Sequence, residues 1–387
     1  MLIVGGALQK ENSEVYSALV NSMLPEGPLV IIPAASGRPA RSAESFAEDL
    51  ADHGLASDRV VIFPLAVKDD SKTGDVDEST WSQNAWQEEL LTGVRNAAGF
   101  WFTGGDQSRI TETMVNEEGE ESPLLILIRS RLIAGAVVGG SSAGAAIMSH
   151  DMIAGGVSFT SLLEPLAESY ASIEAQDSGR LYVSKGLGFL PEGIVDQHFD
   201  RKARLGRLVR AMAATGQVRG FGIDENTALL IQMDEQVARV LGSGNVTLLD
   251  ASKASYSFGS PQLARQLSLS VMASGVSFRM GDFLPVEGQG AATLGNEYFG
   301  YQPIDGGGMA FANQRLDQSL GFDLLDNSKS REIKRYSIDE RGRVLIYHFI
   351  KTPNSKGFWR KEGSADRYTI SNVRFDILQS SVSMQID

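Results

Sequence analysis

Five short apolar runs alternate with helical stretches over the first 150 residues, and this alternation constrains the fold more than any other feature of the chain. The runs are rich in β-branched residues and are Leu2–Val4, Leu29–Ile32, Val60–Phe63, Phe100–Phe102 and Ala136–Val138. Helical stretches such as 41–53 and 123–134 lie between them. Strands that alternate with helices of this length form βαβ units. We therefore predict an α/β fold with a doubly wound, mostly parallel sheet that is covered on both faces.

The pattern changes after about residue 230, where short runs with polar alternation are separated by glycine-containing turns. These runs are Val237–Leu241, Val246–Leu249, Val276–Met280, Val344–Lys351 and Val373–Leu378. Polar alternation and close turns are typical of antiparallel strands. A turn-rich segment that starts at Pro285 indicates a boundary. We expect a main domain over residues 1–285 and a β-rich C-terminal extension over residues 286–387, to which the sequence assigns no role.

Composition excludes several classes of function. The chain has 387 residues, and its 48 acidic against 35 basic side chains give a formal net charge of −13. This charge disfavours nucleic acid as the main partner. The chain has no cysteine, so it forms no disulfide and carries no cysteine nucleophile. It has neither an apolar run of about 18 residues nor a basic-then-apolar leader, so we expect no membrane association and a cytoplasmic location.

The segment 136–149 predicts a strand, a sharp turn and a helix, with Ser142 at the apex. Small residues flank this serine in the pattern Gly140-x-Ser142-x-Gly144. Such a turn lifts a hydroxyl above the sheet and directs the next backbone N–H towards a developing oxyanion. Chance occurrences in small-residue loops are common, so by itself the pattern leaves an ordinary tight turn equally open. The nucleophile hypothesis depends on the rest of the chain.

A serine hydroxyl needs a base, and histidine is the usual base near neutral pH. The chain has four histidines. His53 ends a predicted helix, His150 lies about two helical turns beyond Ser142, and His348 lies in a late predicted strand. His198 follows the run Gly193-Ile-Val-Asp-Gln, which ends as a strand does at the catalytic edge of a sheet. A hydrogen-bonded structural role remains open for His198 on these grounds.

Four motifs in this order resemble those of the cyanophycinases and related serine peptidases of family S51. They are the serine turn and the segments Phe102-Thr-Gly-Gly-Asp-Gln107, Val195-Asp-Gln-His-Phe199 and Gly222-Ile-Asp-Glu-Asn-Thr-Ala228. The resemblance runs from Gly5-Gly6-Ala7 to about residue 250. It implies a sheet like that of class I glutamine amidotransferases and a catalytic role for residues 1–285. It does not cover the chain after about residue 285.

The resemblance also implies the catalytic residues. Ser142 matches the nucleophile, His198 matches the base, and the amides of Gly105 and Ala143 match the oxyanion donors. Relatives place the acid that orients the histidine in a loop shortly after the serine helix. Glu164 is the first acid of that loop after 155, with Glu168 and Glu174 as substitutes. Asp224 is expected only to support the site or to complete a turn.

A basic helix follows His198, and its residues are the candidates for substrate recognition. An apolar stripe of Leu205, Leu208, Val209 and Met212 leaves the arginines largely off that face, where a solvated basic surface is the ordinary interpretation. A cationic cluster beside a catalytic histidine also suits recognition of a carboxylate by arginine. The resemblance implies substrate binding by a wider set, namely Gln107, Asp196, Gln197, Lys202, Arg204 and Arg207. Lys202 stands where relatives have arginine.

The sequence therefore predicts a serine hydrolase without cofactor or metal. By resemblance its substrate is an aspartyl peptide or isopeptide such as cyanophycin, a poly-aspartate that carries arginine and is released as β-Asp-Arg. An α-aspartyl dipeptidase or isoaspartyl peptidase of the same superfamily is an alternative. A non-catalytic protein that binds a polymer through the C-terminal region is another, and the lack of an early acid favours it. A homodimer is expected from the family alone.

Overall fold

Two large sheets and one two-stranded antiparallel sheet form the framework of the protein. A computed structural model describes residues 1–74, 76–170, 172–306 and 315–383. The strands of these residues are β1 (Leu2–Val4), β2 (Leu29–Ile32), β3 (Val60–Ile62), β4 (Gly99–Phe102), β5 (Val137–Ser141), β6 (Asp151–Gly155), β7 (Tyr182–Lys185), β8 (Ile194–Asp196), β9 (Arg219–Ile223), β10 (Thr227–Gln232), β11 (Val237–Gly242), β12 (Asn245–Asp250), β13 (Ser255–Tyr256), β14 (Gln262–Ala273), β15 (Ser277–Arg279), β16 (Pro285–Glu287), β17 (Ala291–Ala292), β18 (Glu332–Ile338), β19 (Arg343–Ile350), β20 (Lys356–Glu362) and β21 (Ala365–Ser381).

The helices are short and cover the sheets. The α-helices of the described residues are α1 (Ser13–Asn21), α2 (Pro39–Asp52), α3 (Gln107–Met114), α4 (Pro123–Ile133), α5 (Ala143–Ala146), α6 (Ser158–Leu163), α7 (Leu205–Thr215) and α8 (Leu316–Leu320). Helix α4 begins where the side chain of Ser122 accepts a hydrogen bond from the N–H of Leu125. Among the described residues, no helix combines the length and apolar character needed to cross a bilayer.

The first sheet confirms a mixed α/β fold with a large central sheet. Its order is β16-β15-β11-β10-β1-β5-β4-β2-β3. Strands β1, β5, β4, β2 and β3 are parallel, as expected for βαβ units. Strand β10 joins β1 in antiparallel pairing and continues into β11, β15 and β16. The sheet is thus parallel on the side that runs from β1 to β3 and antiparallel on the side that runs from β1 to β16.

Both faces of the parallel half are buried. Successive side chains of a strand point to opposite faces, and Ile3 packs in one apolar cluster while Leu2 and Val4 pack in another. Helices α1 and α2 contribute Val15 and Ala43 to the second cluster. This burial explains why the early strands are continuous apolar runs instead of alternating ones.

The second sheet extends across the expected boundary at residue 285. Its main path is β17-β20-β21-β14-β12-β9-β8, and it also includes β13, β18 and β19. Strand β14 lies before the boundary and β21 lies after it, and they pair over Gln262–Leu378 to Val271–Ile370. A single apolar cluster includes Leu269 and Phe375, one from each side of residue 285. The two-domain division stays a prediction, and the residues on its two sides share one sheet and one core.

Candidate active site

Strand register brings four loops to one edge of the two sheets. Val4 pairs with Ser141 of β5 and with Ala228 of β10, so the residues that follow β1, follow β5 and precede β10 meet. Asp196 of β8 pairs in parallel with Gly222 of β9, so the residues after these two strands also meet. The N–H of His198 donates to the carbonyl of Gly5 at 2.6 Å and joins the two sheets at this edge. Ligands bind beyond the carboxyl ends of parallel strands, which is where these loops lie.

Ser142 occupies the apex of a strained turn between β5 and α5. Its backbone has φ 56° and ψ −107°, which a non-glycine residue rarely adopts. Close packing supports this turn, because a Cβ on Gly140 would lie 2.8 Å from the Cα of Gly144, and a Cβ on Gly144 would lie 2.3 Å from the carbonyl oxygen of Phe102. The small residues of the sequence pattern are therefore required by space as well as by conformation.

His198 contacts the serine hydroxyl. Its Nε2 lies 2.9 Å from the Oγ of Ser142. The imidazole packs against Gly6, whose φ is 107° and where an added Cβ would lie 2.3 Å from the ring. Only glycine gives the ring this space, because it tolerates the positive φ and has no side chain. The arrangement is that of a nucleophile and its base.

Glu225 supplies the carboxylate that orients the histidine. Its Oε1 lies 2.6 Å from the Nδ1 of His198, and its N–H donates to Asp200 at 3.0 Å. The sequence pattern does not distinguish Glu225 from its neighbour Asp224, so sequence analysis does not predict Glu225 as the acid. Its position two residues after the end of β9 was the available signal, since β9 ends beside β8 and therefore beside His198. Ser142, His198 and Glu225 form what we call the hydrogen-bond relay.

Glu164 does not reach the relay, in contrast to the expectation. It lies just after α6, and its Oε1 is 3.5 Å from Nη1 of Arg343, which belongs to β19. Glu168 is exposed, and the side chain of Glu174 lies outside the described residues. The physical reason is topological: the end of α6 faces β19 of the second sheet, whereas the residues between β9 and β10 lie against His198. Glu164 thus has the surroundings of a surface ion pair.

The predicted oxyanion donors belong to the loop of Gly105 and to Ala143, the residue that follows Ser142. Gly105 has φ 141°, and a Cβ there would lie 2.0 Å from the carbonyl oxygen of Ala35. A Cβ on Gly104 would lie 3.8 Å from the Oγ of Ser142, so this loop passes next to the serine. Within the described part of the chain, the backbone N–H groups of Gly105 and Ala143 have no hydrogen-bond acceptor. Both amides are therefore available to a ligand oxygen near Ser142.

Two of the basic residues after His198 are buried instead of solvated. Arg204 and Arg207 are each 2% exposed, although α7 does bury its apolar stripe. Arg207 forms a two-point ion pair with Asp196, with its Nη2 2.6 Å and its Nε 2.8 Å from the two carboxylate oxygens. Arg204 donates to the carbonyl of Gln197, which is adjacent to His198. Lys202, Arg204 and Arg207 are called the basic cluster below.

Two further predicted substrate residues lie close to the basic cluster. The side chain of Gln107 donates to the carbonyl of Ile153 at 3.1 Å and is buried. The Oε1 atom of Gln197 is buried without a hydrogen-bond partner among the described residues. Asp196 is held by Arg207 and thus contributes to the shape of the cluster, while its carboxylate is already paired.

Comparison with known proteins identifies the family of this site. A model of peptidase family S51 matches residues 1–239, which is more than half of the chain and includes the whole relay. The chain belongs to peptidase family S51. The matched residues end within β11, so the last strands of the second sheet lie outside the family model.

Similar S51 proteins include cyanophycinases. The cyanophycinase of Synechococcus elongatus is 37% identical over 174 residues, which are 45% of this chain and 48% of that protein. This chain thus spans about half the length of that relative. The cyanophycinase of Geminocystis herdmanii is 32% identical over 260 residues, which are 66% of this chain and 82% of that protein. A peptidase from an acI-B1 Actinobacterium with a known crystal structure is 20% identical to this chain. The match covers 72% of this chain and 95% of that protein's chain, with a TM-score of 0.44.

Electrostatics at the S51 site favour a neutral histidine. Burial is the largest influence and lowers the pKa of His198 below its usual range, and the positive charges of Arg204 and Lys202 lower it further. The hydrogen bond that Nδ1 of His198 donates to Glu225 raises the pKa and so acts in the opposite direction. A neutral Nε2 can accept the proton of Ser142, so these influences keep the base in its reactive form.

Proposed function

We propose that this protein is a serine peptidase in which Ser142 is the nucleophile, His198 the general base and Glu225 the orienting acid. The observation that supports this proposal is the hydrogen-bond relay. Nε2 of His198 lies 2.9 Å from Oγ of Ser142, and Nδ1 of His198 lies 2.6 Å from Oε1 of Glu225. Ser142 Oγ attacks the scissile carbonyl carbon while Nε2 of His198 accepts the hydroxyl proton. Glu225 holds the proton on Nδ1, so that the lone pair of Nε2 faces the serine.

The next steps follow from the same groups. The N–H groups of Gly105 and Ala143 donate to the oxyanion that forms when the carbonyl carbon becomes tetrahedral. His198 then donates its new proton to the leaving amine as the peptide bond breaks, which leaves an acyl ester on Ser142. Water attacks this ester with His198 again as base, and the product acid and the free serine result. None of these reaction steps requires a cofactor.

The proposed substrate is an aspartyl peptide or isopeptide such as cyanophycin, with β-Asp-Arg as product. Similarity to cyanophycinases supports this choice, and so does a basic cluster that can bind an aspartyl carboxylate next to the relay. The likeness to class I glutamine amidotransferase-like folds, a homodimer and a cytoplasmic location remain expectations. The lack of an early acid in the sequence favoured a non-catalytic binding protein. The contact between Glu225 and His198 removes that reason.

Variants at the relay test the proposal. Ser142→Ala should abolish labelling by a fluorophosphonate probe and lower the rate of hydrolysis by on the order of 10³-fold or more. His198→Ala should cost a similar factor, and the double variant should be hardly worse because the two groups act in one step. His150→Ala is the matched control, since His150 is exposed and pairs with Asp151 away from the relay. Retention of more than about a tenth of the wild-type rate in Ser142→Ala would refute the mechanism.

Product analysis tests the substrate. Wild-type protein should release β-Asp-Arg from cyanophycin. Hydrolysis of small aspartyl dipeptides with intact cyanophycin would instead assign an α-aspartyl dipeptidase or isoaspartyl peptidase. Probe labelling without either product would leave the serine chemistry in place and refute the aspartyl substrate.

A further inference from the structure

A short segment of the chain, residues 172–180, covers the basic cluster. It includes a 3-10 helix at Ile173–Asp177 and lies in the loop between α6 and β7. Two of its residues, Gln176 and Asp177, contact the side chains that the sequence predicts to bind substrate. We call residues 172–180 the covering segment.

Asp177 bridges two cations of the basic cluster. Its Oδ1 lies 2.6 Å from Nη2 of Arg204, and its Oδ2 lies 2.5 Å from Nζ of Lys202. Although burial opposes the shift, the hydrogen bond from Lys202 and the charge of Arg204 lower the pKa of Asp177 to about 2. The group is therefore a carboxylate anion at neutral pH, held by both oxygens as a bound carboxylate ligand would be.

Gln176 contacts the other side of the same surface. Its side-chain nitrogen donates to Oε1 of Gln107 at 2.7 Å, and its carbonyl accepts a hydrogen bond from Nη1 of Arg207 at 3.1 Å. Beside the segment, the hydroxyl of Tyr170 donates to Asp106 at 3.2 Å. The covering segment and its neighbour thus occupy hydrogen-bonding positions that a substrate would otherwise use.

Charge balance identifies Asp177 as the exchangeable partner. Arg207 already has Asp196, a buried acid on β8 that is 1% exposed and fixed in the sheet. Asp177 is 47% exposed and ends the 3-10 helix of the covering segment, and it pairs with both Lys202 and Arg204. Arg204 also lies 3.6 Å from Asp196, but that carboxylate already makes the two-point pair with Arg207. One carboxylate does not balance two buried arginines, so a second carboxylate, from either the covering segment or a ligand, stabilises Arg204. Two carboxylates cannot take the same two donors at once.

We propose that Asp177 is an internal mimic of the substrate carboxylate, which a substrate must displace from Lys202 and Arg204 before its own carboxylate binds there. This inference rests on the proposed function, because it assigns the carboxylate-binding part of that site. Asp177 is then a specificity-determining residue: it weakens binding of every substrate that has a carboxylate at this position, and it leaves substrates without one unaffected.

Steady-state kinetics of Asp177→Asn give the first test. The amide keeps the size of the side chain and removes its charge, so it competes poorly for Arg204 and Lys202. KM for a carboxylate-bearing aspartyl peptide should fall by roughly tenfold. This is the change expected if Asp177 occupies Lys202 and Arg204 for about nine-tenths of the time in the wild type. KM for the same peptide with that carboxylate amidated should not change. Asp151→Asn is the matched control, because it removes the partner of Lys185 in the two-stranded sheet of β6 and β7. It should leave both KM values unchanged.

Equal changes in KM for both peptides would overturn the proposal, since they would show that Asp177 only supports the fold or blocks access. A rise in KM for the carboxylate peptide would overturn it as well. Asp177→Ala provides a second variant with the same expected direction if the asparagine variant is poorly folded, and circular dichroism verifies folding of each.

Binding in a Ser142→Ala background separates this inference from the proposed function. Calorimetric titration with β-Asp-Arg measures affinity without any turnover, so it remains informative if the protein hydrolyses no aspartyl peptide. Addition of Asp177→Asn should increase the affinity for β-Asp-Arg by about tenfold and should not change the affinity for its amidated analogue. Unchanged affinity for β-Asp-Arg would refute the internal mimic, whatever the hydrolysis assays show.

Discussion

At the scale of single residues, two side chains of the site are held by unusual backbone. Ser142 and His198 both have positive φ, at 56° and 48°. Non-glycine residues in this region carry strain that persists only when the surroundings enforce it. Here the N–H of Ser142 donates to Val4 and that of His198 donates to Gly5, so β1 and the residue after it position both groups.

Substitution of the orienting acid tests the assignment of Glu225. Glu225→Gln keeps the side-chain size but can donate to Nδ1 and thereby favour the wrong tautomer of His198, so kcat should fall by about 10³- to 10⁴-fold. Glu164→Gln should have nearly wild-type kcat, because Glu164 belongs to a surface pair with Arg343. Measurement of kcat for both variants decides between the two acids, and the opposite ranking would restore Glu164.

The pH dependence of the reaction tests the state of His198. Burial lowers its pKa, so the neutral, proton-accepting form persists to lower pH than for an ordinary histidine. Activity should be lost as the pH falls through this lowered pKa, with the midpoint of the acid limb of kcat/KM below the ordinary value of about 6.5. A profile of kcat/KM between pH 4 and 9 measures it. A midpoint above 6.5 would contradict the argument from burial.

At the scale of elements, close approaches between strands and helices define the site more than helix or strand propensity does. Helix α5 lies so near β4 that an added methyl at Gly144 would meet the backbone of Phe102. Helix α7 buries Arg207 as well as its apolar stripe, and Arg204, which immediately precedes the helix, is also buried. Those arginines are tolerated since Asp196 and Asp177 supply their counter-charges.

Gly144→Ala tests the packing of the elbow. The new methyl would lie 2.3 Å from a backbone oxygen, which cannot move like a flexible side chain, so we expect destabilisation of about 1–3 kcal/mol and a large loss of activity. Urea unfolding and the hydrolysis rate measure the two effects. Gly37→Ala is the control, because nothing lies within 4 Å of its added methyl and its φ is not in the left-handed region. Equal stability of the two variants would contradict the close approach.

At the scale of the whole molecule, the second sheet joins the C-terminal residues to the site. Strands β8 and β9 deliver His198 and Glu225 at one end of this sheet, and β14 and β21 continue it across residue 285. The long pairing of β14 with β21 and the shared apolar cluster indicate that residues 286–387 stabilise the sheet that carries the base and the acid.

Truncation tests this dependence. A chain that ends at residue 285 lacks β17 to β21 and the last two residues of β16. Strand β14 then loses its partner β21 and becomes an edge, and apolar side chains such as Leu267 and Leu269 are exposed. We expect low soluble yield, loss of cooperative unfolding and no activity. A chain that ends at Val382 keeps all of these strands and is the matched control. A stable, active 1–285 fragment would instead support the division into two independent domains.

The amino-acid sequence by itself determined the parallel half of the fold and the sharp turn that carries Ser142. Local patterns carry this information: apolar runs and helix ends predicted β1 to β5 to within a few residues, and Gly140-x-Ser142-x-Gly144 predicted the turn. Such features depend on residues close together in the chain, so no tertiary contact was needed to find them.

Only the tertiary structure decided which acid meets His198 and what the basic cluster binds. Glu225 and His198 are 27 positions apart, and the parallel register of β8 with β9 brings them together. Sequence analysis predicted Glu164 as the acid and left a solvated face open for the arginines, because a one-dimensional pattern records neither strand order nor the neighbour of a loop. The pairing of Asp177 with Lys202 and Arg204 and the pairing of β14 with β21 arise in the same way, from contacts between segments distant in the chain.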